Sequence, residues 1–265
     1  MKKKLAILNL LSVVLVLTIN GLSQAQRWND TTIGEMSARY DNLFTPAGYA
    51  FSIWGVIFLG LVGYALFGIR RAFFSKKDTP HLEQTGYWFA IANVLNAGWV
   101  LAFIYDQIWL SVLIMLGILI SLLKTVLKTN MERWDAPIEI IAFVWWPICI
   151  YSGWIAVATI ANISAFIVSL GIEFSQLTQI ITTMVLITIA VYLNNLMINL
   201  RNMREFAMVG AWALFAIFIR HNGEIPAIAY YALAGAIVLS VAAGIHGYRN
   251  RKTNPIEKCK ERISN

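Results

Sequence analysis

The sequence predicts an all-α integral membrane protein with about eight spanning helices, and three observations carry that expectation. Of its 265 residues 58% are hydrophobic and 13% charged, against about 25% charged in a soluble domain. Apolar runs long enough to cross a hydrocarbon core recur from end to end; about 20 residues span about 30 Å. The basic residues fall on every second connection between those runs. The runs lack the strict alternation of a barrel strand, so helices are the spans that satisfy the backbone in lipid.

The first run, residues 5–22, follows Lys2, Lys3 and Lys4. With Ser23-Gln24-Ala25 behind it, the run also reads as a cleavable signal peptide, which would leave seven spans in the same orientation. Residues 23–46 form the longest connection and carry Trp28, Asp30, Glu35, Arg39, Tyr40 and Asp41. That segment is long and polar enough to fold over a bundle as a lid. Further spans are expected at 47–69, 86–105 and 108–127. The fifth, 138–169, is long and contains Pro147, so a tilt or kink is expected there. The sixth, seventh and eighth lie at 177–200, 206–220 and 227–248, the seventh being short. The tail over 249–265 is polar and basic, suited to disorder or to anionic lipid. No repeat period and no inverted repeat emerges.

The formal charge of +7 invites a nucleic-acid reading, which the placement of the charges removes. With an even number of spans, 18 of the 21 basic residues share the side of the termini, and only Arg27, Arg39 and Arg220 lie opposite. The positive-inside rule makes the rich side cytoplasmic. The expected location is a bacterial plasma (inner) membrane, with both termini in the cytoplasm.

Catalytic motifs are absent: no phosphate-binding glycine loop, zinc helix or nucleophile elbow occurs. Cys149 and Cys259 share no neighbourhood, and no metal spacing is present. His81, His221 and His246 read as interfacial polar residues. Few ionisable residues reach membrane depth, which weakens a pump reading. The chain's excess is aromatic, with ten tryptophans. Trp28, Trp88, Trp109, Trp134, Trp145 and Trp146 fit an interfacial belt. Trp54, Trp99 and Trp154 fall well inside three different helices at comparable depth. They fit ordinary packing, or the lining of a pocket for a flat hydrophobic ligand. Asn93, Asn96, Tyr151 and Asn162 accompany them, and Asn194, Asn195 and Asn199 follow in the sixth span. Polar groups of this kind commonly bond a neighbouring helix.

These residues resemble a family. Tyr40-Asp41-Asn42-Leu43, then Phe44-Thr45-Pro46 and Trp54, is similar to the first loop and second helix of the tryptophan-rich sensory protein family. That family is also called the translocator protein or peripheral benzodiazepine receptor family (TspO/MBR). Asn96-Ala97-Gly98-Trp99 with Phe103 resembles its third-helix pattern. Tyr151-Ser152-Gly153-Trp154 with Ala158, Thr159 and Asn162 resembles its fifth. The likeness covers residues 1–170. Thr45 replaces the first proline of the family's usual pair, Gly48 or Tyr49 stands near an expected tryptophan, and Ile150 replaces a proline.

The resemblance implies a five-helix TspO-like bundle over 1–170; the three additional transmembrane helices over 171–248, which common members of the family lack, and the basic tail over 249–265 mark a divergent, extended member. No metal or cofactor is expected, and the resemblance implies a tetrapyrrole, a sterol or a synthetic aromatic molecule as ligand. The ligand-binding residues it points to are Tyr40, Pro46, Trp54, Asn96, Trp99, Phe103, Tyr151 and Trp154. Arg27 or Arg39 is expected to pair with ligand carboxylates at the mouth. The leading functional expectation is a receptor or binding protein with a sensory or regulatory role. The alternatives are a transporter or facilitator, an enzyme degrading porphyrin in light through Trp54 and Trp154, and a scaffold. Membrane lipid, a hydrophobic small molecule and a second copy of the chain are the expected partners, with no nucleic acid.

Overall fold

The computed structural model describes residues 1–77 and 80–250, and every regular element among them is helical. The elements are α1 (Lys2–Ala25), α2 (Ile33–Arg39), α3 (Ile53–Phe74), α4 (Pro80–Thr85), α5 (Trp88–Ile104), α6 (Ile108–Lys128), α7 (Ile138–Ile140), α8 (Trp146–Ser169), α9 (Gln176–Arg201), α10 (Arg204–His221) and α11 (Pro226–Arg249). Most of the basic tail, with Cys259, lies outside the described residues.

Among the described residues six helical segments are long and apolar enough to cross a membrane. The other two long helices are more modest. The 17 residues of α5 reach about 25 Å, and the 18 of α10 hold Arg204, Glu205 and Arg220 at their ends. Both pack alongside the six, so the eight apolar runs become eight long helices.

Five of them close a ring. α1 packs on α3, α3 on α8, α8 on α6, α6 on α5, and α5 back on α1. α1 contributes Val13, Val16 and Asn20 to the buried interior. Outside the ring, α10 docks on α8, while α9 and α11 pack against α10 and each other. Small residues permit this approach, as they do between membrane helices generally. A Cβ at Gly153 of α8 would lie 2.8 Å from the Phe206 carbonyl oxygen of α10. One at Gly210 would strike the Asn194 side chain of α9 at 2.6 Å.

Pro147 has the local consequence its chemistry demands. Its ring lacks an N–H and would clash with the carbonyl of residue 143 in a regular helix. The chain answers with a π turn over Ile141–Trp145, where the Trp146 N–H reaches the Ile141 carbonyl. The proline lies close to Gly60 of α3, where a Cβ would be only 3.2 Å from Pro147 Cβ.

The long first connection carries structure of its own. Thr32 caps α2 through a reciprocal capping box with Glu35. Arg27, Asn29 and Asp30 hold positive φ ahead of it, a strained conformation for residues with a Cβ. Asn29 Nδ2 donates to the Ile104 carbonyl at 2.9 Å, fixing that strained turn to the end of α5. Met36 and Phe44 are fully buried beneath the segment, so it is packed down onto the bundle.

Candidate functional site

Beneath α2 a cavity of about 1070 Å³ opens between α1 and α3. That is at the upper end of the about 300–1,000 Å³ typical of small-molecule sites. Phe51, Trp54 and Phe58 form its aromatic wall, Asn20 and Gln24 of α1 face them, and Thr45, Pro46 and Arg220 lie at the mouth. A second, inner pocket of about 50 Å³ adjoins it and shares Ile33, Ser37, Thr45, Pro46, Phe51 and Trp54.

The three interior indoles converge on the inner pocket, with Phe103 and Asn162 between them. Their roles differ. Trp99 Nε1 donates to Asn162 Oδ1 at 2.7 Å, and the Asn162 amide donates to Ser111 Oγ at 2.9 Å, which pins that indole. Trp99 also stacks on Phe103 at 5.1 Å. Trp154, 2% exposed, stands edge-on behind Phe51 at 5.7 Å. Only Trp54 reaches both spaces; half-buried, it stacks on Phe58 at 5.3 Å.

Asn96 and Tyr151 line neither space. Asn96 Nδ2 donates to the Tyr151 hydroxyl at 3.0 Å, and Asn20 Nδ2 donates to Asn96 Oδ1 at 3.2 Å. The Tyr151 ring in turn meets Trp54 at 6.1 Å. This network therefore sets two cavity residues, Asn20 and Trp54, from behind. Asn93 bonds Ser12 of α1 at 3.1 Å, a bond between neighbouring helices. Asn194, Asn195 and Asn199 instead donate to carbonyls of their own helix.

Tyr40 also lines neither space, its hydroxyl donating to Asp106 at 2.6 Å. That bond raises the Tyr40 pKa above its ordinary value. The two arginines expected at the mouth are engaged elsewhere. Arg27 makes a bidentate pair with Glu35 at 2.8 and 3.0 Å, holding that carboxyl below the ordinary range. Arg39 pairs with Asp106 at 3.5 Å. Neither lines the cavity. The cation that does is Arg220, from α10.

Sequence reasoning missed Asn20 and Arg220. Asn20 was hidden in an apolar run, and Arg220 registered only as an exception to the charge pattern. Three other expectations need correction. His81 and His221 are 3% and 2% exposed, tucked beneath neighbouring elements rather than set at an interface. Trp145 is 3% exposed and packs edge-on against Trp134, so it is core and not belt. On the far side of α8, donor atoms of Glu132, Cys149 and Glu205 come within 4.8 Å of one another, a grouping that no sequence spacing announces.

A ring of five helices, an outer set of three and a roofed aromatic cavity define a multi-pass α-helical membrane protein. The chain belongs to the TSPO-like protein family, whose model matches residues 6–245. The match continues far beyond residue 170, so it takes in most of the last three helices as well as the ring. No curated protein and no solved structure matches the chain.

Proposed function

We propose that this protein is a membrane receptor or binding protein for a hydrophobic, tetrapyrrole-like or sterol-like ligand, with a sensory or regulatory role. One observation carries the reading: the cavity of about 1070 Å³ that offers Phe51, Trp54 and Phe58 as an aromatic wall beneath a roof made by α2. Family membership supports it. A flat apolar molecule stacking there gains area burial together with aromatic contact. In this reading the basic side of the bundle faces the cytoplasm of a bacterial cell.

A titration of the purified protein with protoporphyrin in nonionic detergent, in the dark, tests the reading through quenching of tryptophan fluorescence. Saturable quenching is expected, weakened about three- to ten-fold by Trp54→Phe. Trp154→Phe should act less, because that indole stands behind Phe51. Absence of saturable binding in the intact chain refutes the proposal. Bleaching of the ligand in light that depends on Trp54 and Trp154 would instead identify turnover.

A further inference from the structure

Arg220 stands in the last turn of α10 at the mouth of the large cavity, and its guanidinium divides its bonds into two sets. Nη1 donates to the carbonyls of Asn42 and Thr45 at 2.9 and 2.7 Å. Nη2 lies 2.6 Å from each carboxylate oxygen of Asp41. The first set holds the cation to main chain. The second is an ion pair with a side chain that is itself 55% exposed, whereas the Arg220 side chain is 21% exposed.

Among the described residues, Asp41 and Arg220 are the only charged ones that line the cavity. Every other lining side chain is apolar or neutral. Among the described residues the Asp41 carboxylate bonds only to Arg220. It can therefore swing into water by breaking its contact with Arg220 alone. The guanidinium cannot do the same, because its backbone bonds and partial burial keep it at the mouth. Leaving it without an anion would be costly. Replacing one carboxylate by another conserves charge and keeps the planar fork occupied.

We propose that Arg220 is the anion-receiving residue of this cavity, and that Asp41 stands in for the carboxylate of an amphipathic ligand. The apolar body of such a ligand lies along Trp54 and Phe58, and its carboxylate takes the place of Asp41 on Nη2. This rests on the binding function proposed above and adds the chemical class: a hydrophobic acid in preference to a neutral hydrophobe. It also gives the outer three helices a part in recognition, since α10 supplies the cation.

The test compares protoporphyrin with its dimethyl ester, which keeps the macrocycle and removes both anions. The wild-type chain in nonionic detergent should bind the acid about ten-fold more tightly than the ester. Arg220→Gln should erase that preference while ester binding persists. Asp41→Asn removes the competing anion and leaves the cation, so it should tighten acid binding several-fold and leave the ester unchanged. A purely structural ion pair predicts something different: both substitutions would weaken acid and ester alike. That pattern overturns the proposal, as does equal wild-type affinity for acid and ester. If neither compound binds, the cavity reading itself falls and this assignment falls with it.

Discussion

His81 is the residue whose burial has the most direct consequence for stability. It sits on α4 between Tyr64 and Phe67, with ring centroids at 5.9 and 5.6 Å. Among the described residues neither ring nitrogen has a hydrogen-bond partner. Burial, and then the nearby Arg71 cation, push its pKa from 6.5 down to about 4. The unfolded chain therefore takes up a proton near pH 6.5 that the folded chain refuses until about pH 4. Stability is intact above 6.5 and declines as the pH falls through that window, by about 3 kcal/mol at its lower end. His81→Phe should flatten this decline. Thermal unfolding in detergent at pH 7 and pH 5 would check it; an equal acid-side loss in both proteins would clear His81 of responsibility. This burial was not legible beforehand, because a lone histidine near a segment end reads as an interfacial polar residue. Trp99 and Trp154 lie inside α5 and α8 as the helical rise led one to expect, whereas Trp54 stands in the first turn of α3, and their different bonding partners were not legible. Asn162, which pins Trp99, lies 63 residues away in the chain.

At the scale of elements, the contact between α8 and α10 is the joint on which the outer helices depend. Its closest point is Gly153, where even a Cβ would press the Phe206 backbone at 2.8 and 3.1 Å. Gly153→Leu should force the two helices apart, costing about 1–3 kcal/mol by overpacking. Because α10 also holds the segment between α2 and α3, hydrogen exchange over residues 41–50 should quicken in the same variant. Unchanged exchange there would mean that the segment is fixed independently of α10. Apolar run length made every long helix legible, to within a few residues at each end except for α3, which begins at Ile53 and ends at Phe74 where 47–69 was expected. The details that escaped are those set by neighbours. α2 formed inside what reads as a loop, although Thr32 and Glu35 stand at capping-box spacing. Pro147 announced an irregularity, but only the packed helix reveals a π turn in its place.

For the molecule as a whole, the asymmetry of charge yields a prediction about orientation. Gln26 and Ser175 belong to one end of the bundle and Ser75 to the other, on alternate connections. In a Cys259→Ser background, cysteines at Gln26 and Ser175 should react with a membrane-impermeant thiol reagent added outside intact cells. A cysteine at Ser75 should react only after lysis; the reverse pattern would overturn the assignment of the basic side to the cytoplasm. The ring of five was foreshadowed by motifs in three helices. The order of helices around it was not, since neighbours in the ring such as α3 and α8 are far apart in sequence. Nor could residue spacing disclose that Arg220 crosses to residues 41–45, some 175 to 179 positions earlier.

The way α10 grips that segment has an evolutionary corollary. Arg220, His221 and Trp212 engage the carbonyls of Asn42, Thr45, Leu43 and Ala50, and the Ala47 N–H reaches the Ala216 carbonyl. Those groups are present whatever side chain a residue carries, apart from the missing N–H of proline. Position 45, whose side chain lines the cavity while its carbonyl is the mooring, can thus change and reshape the entrance for a new guest. Position 41 differs, because its mooring to Arg220 is a side chain and a change there forfeits the charge.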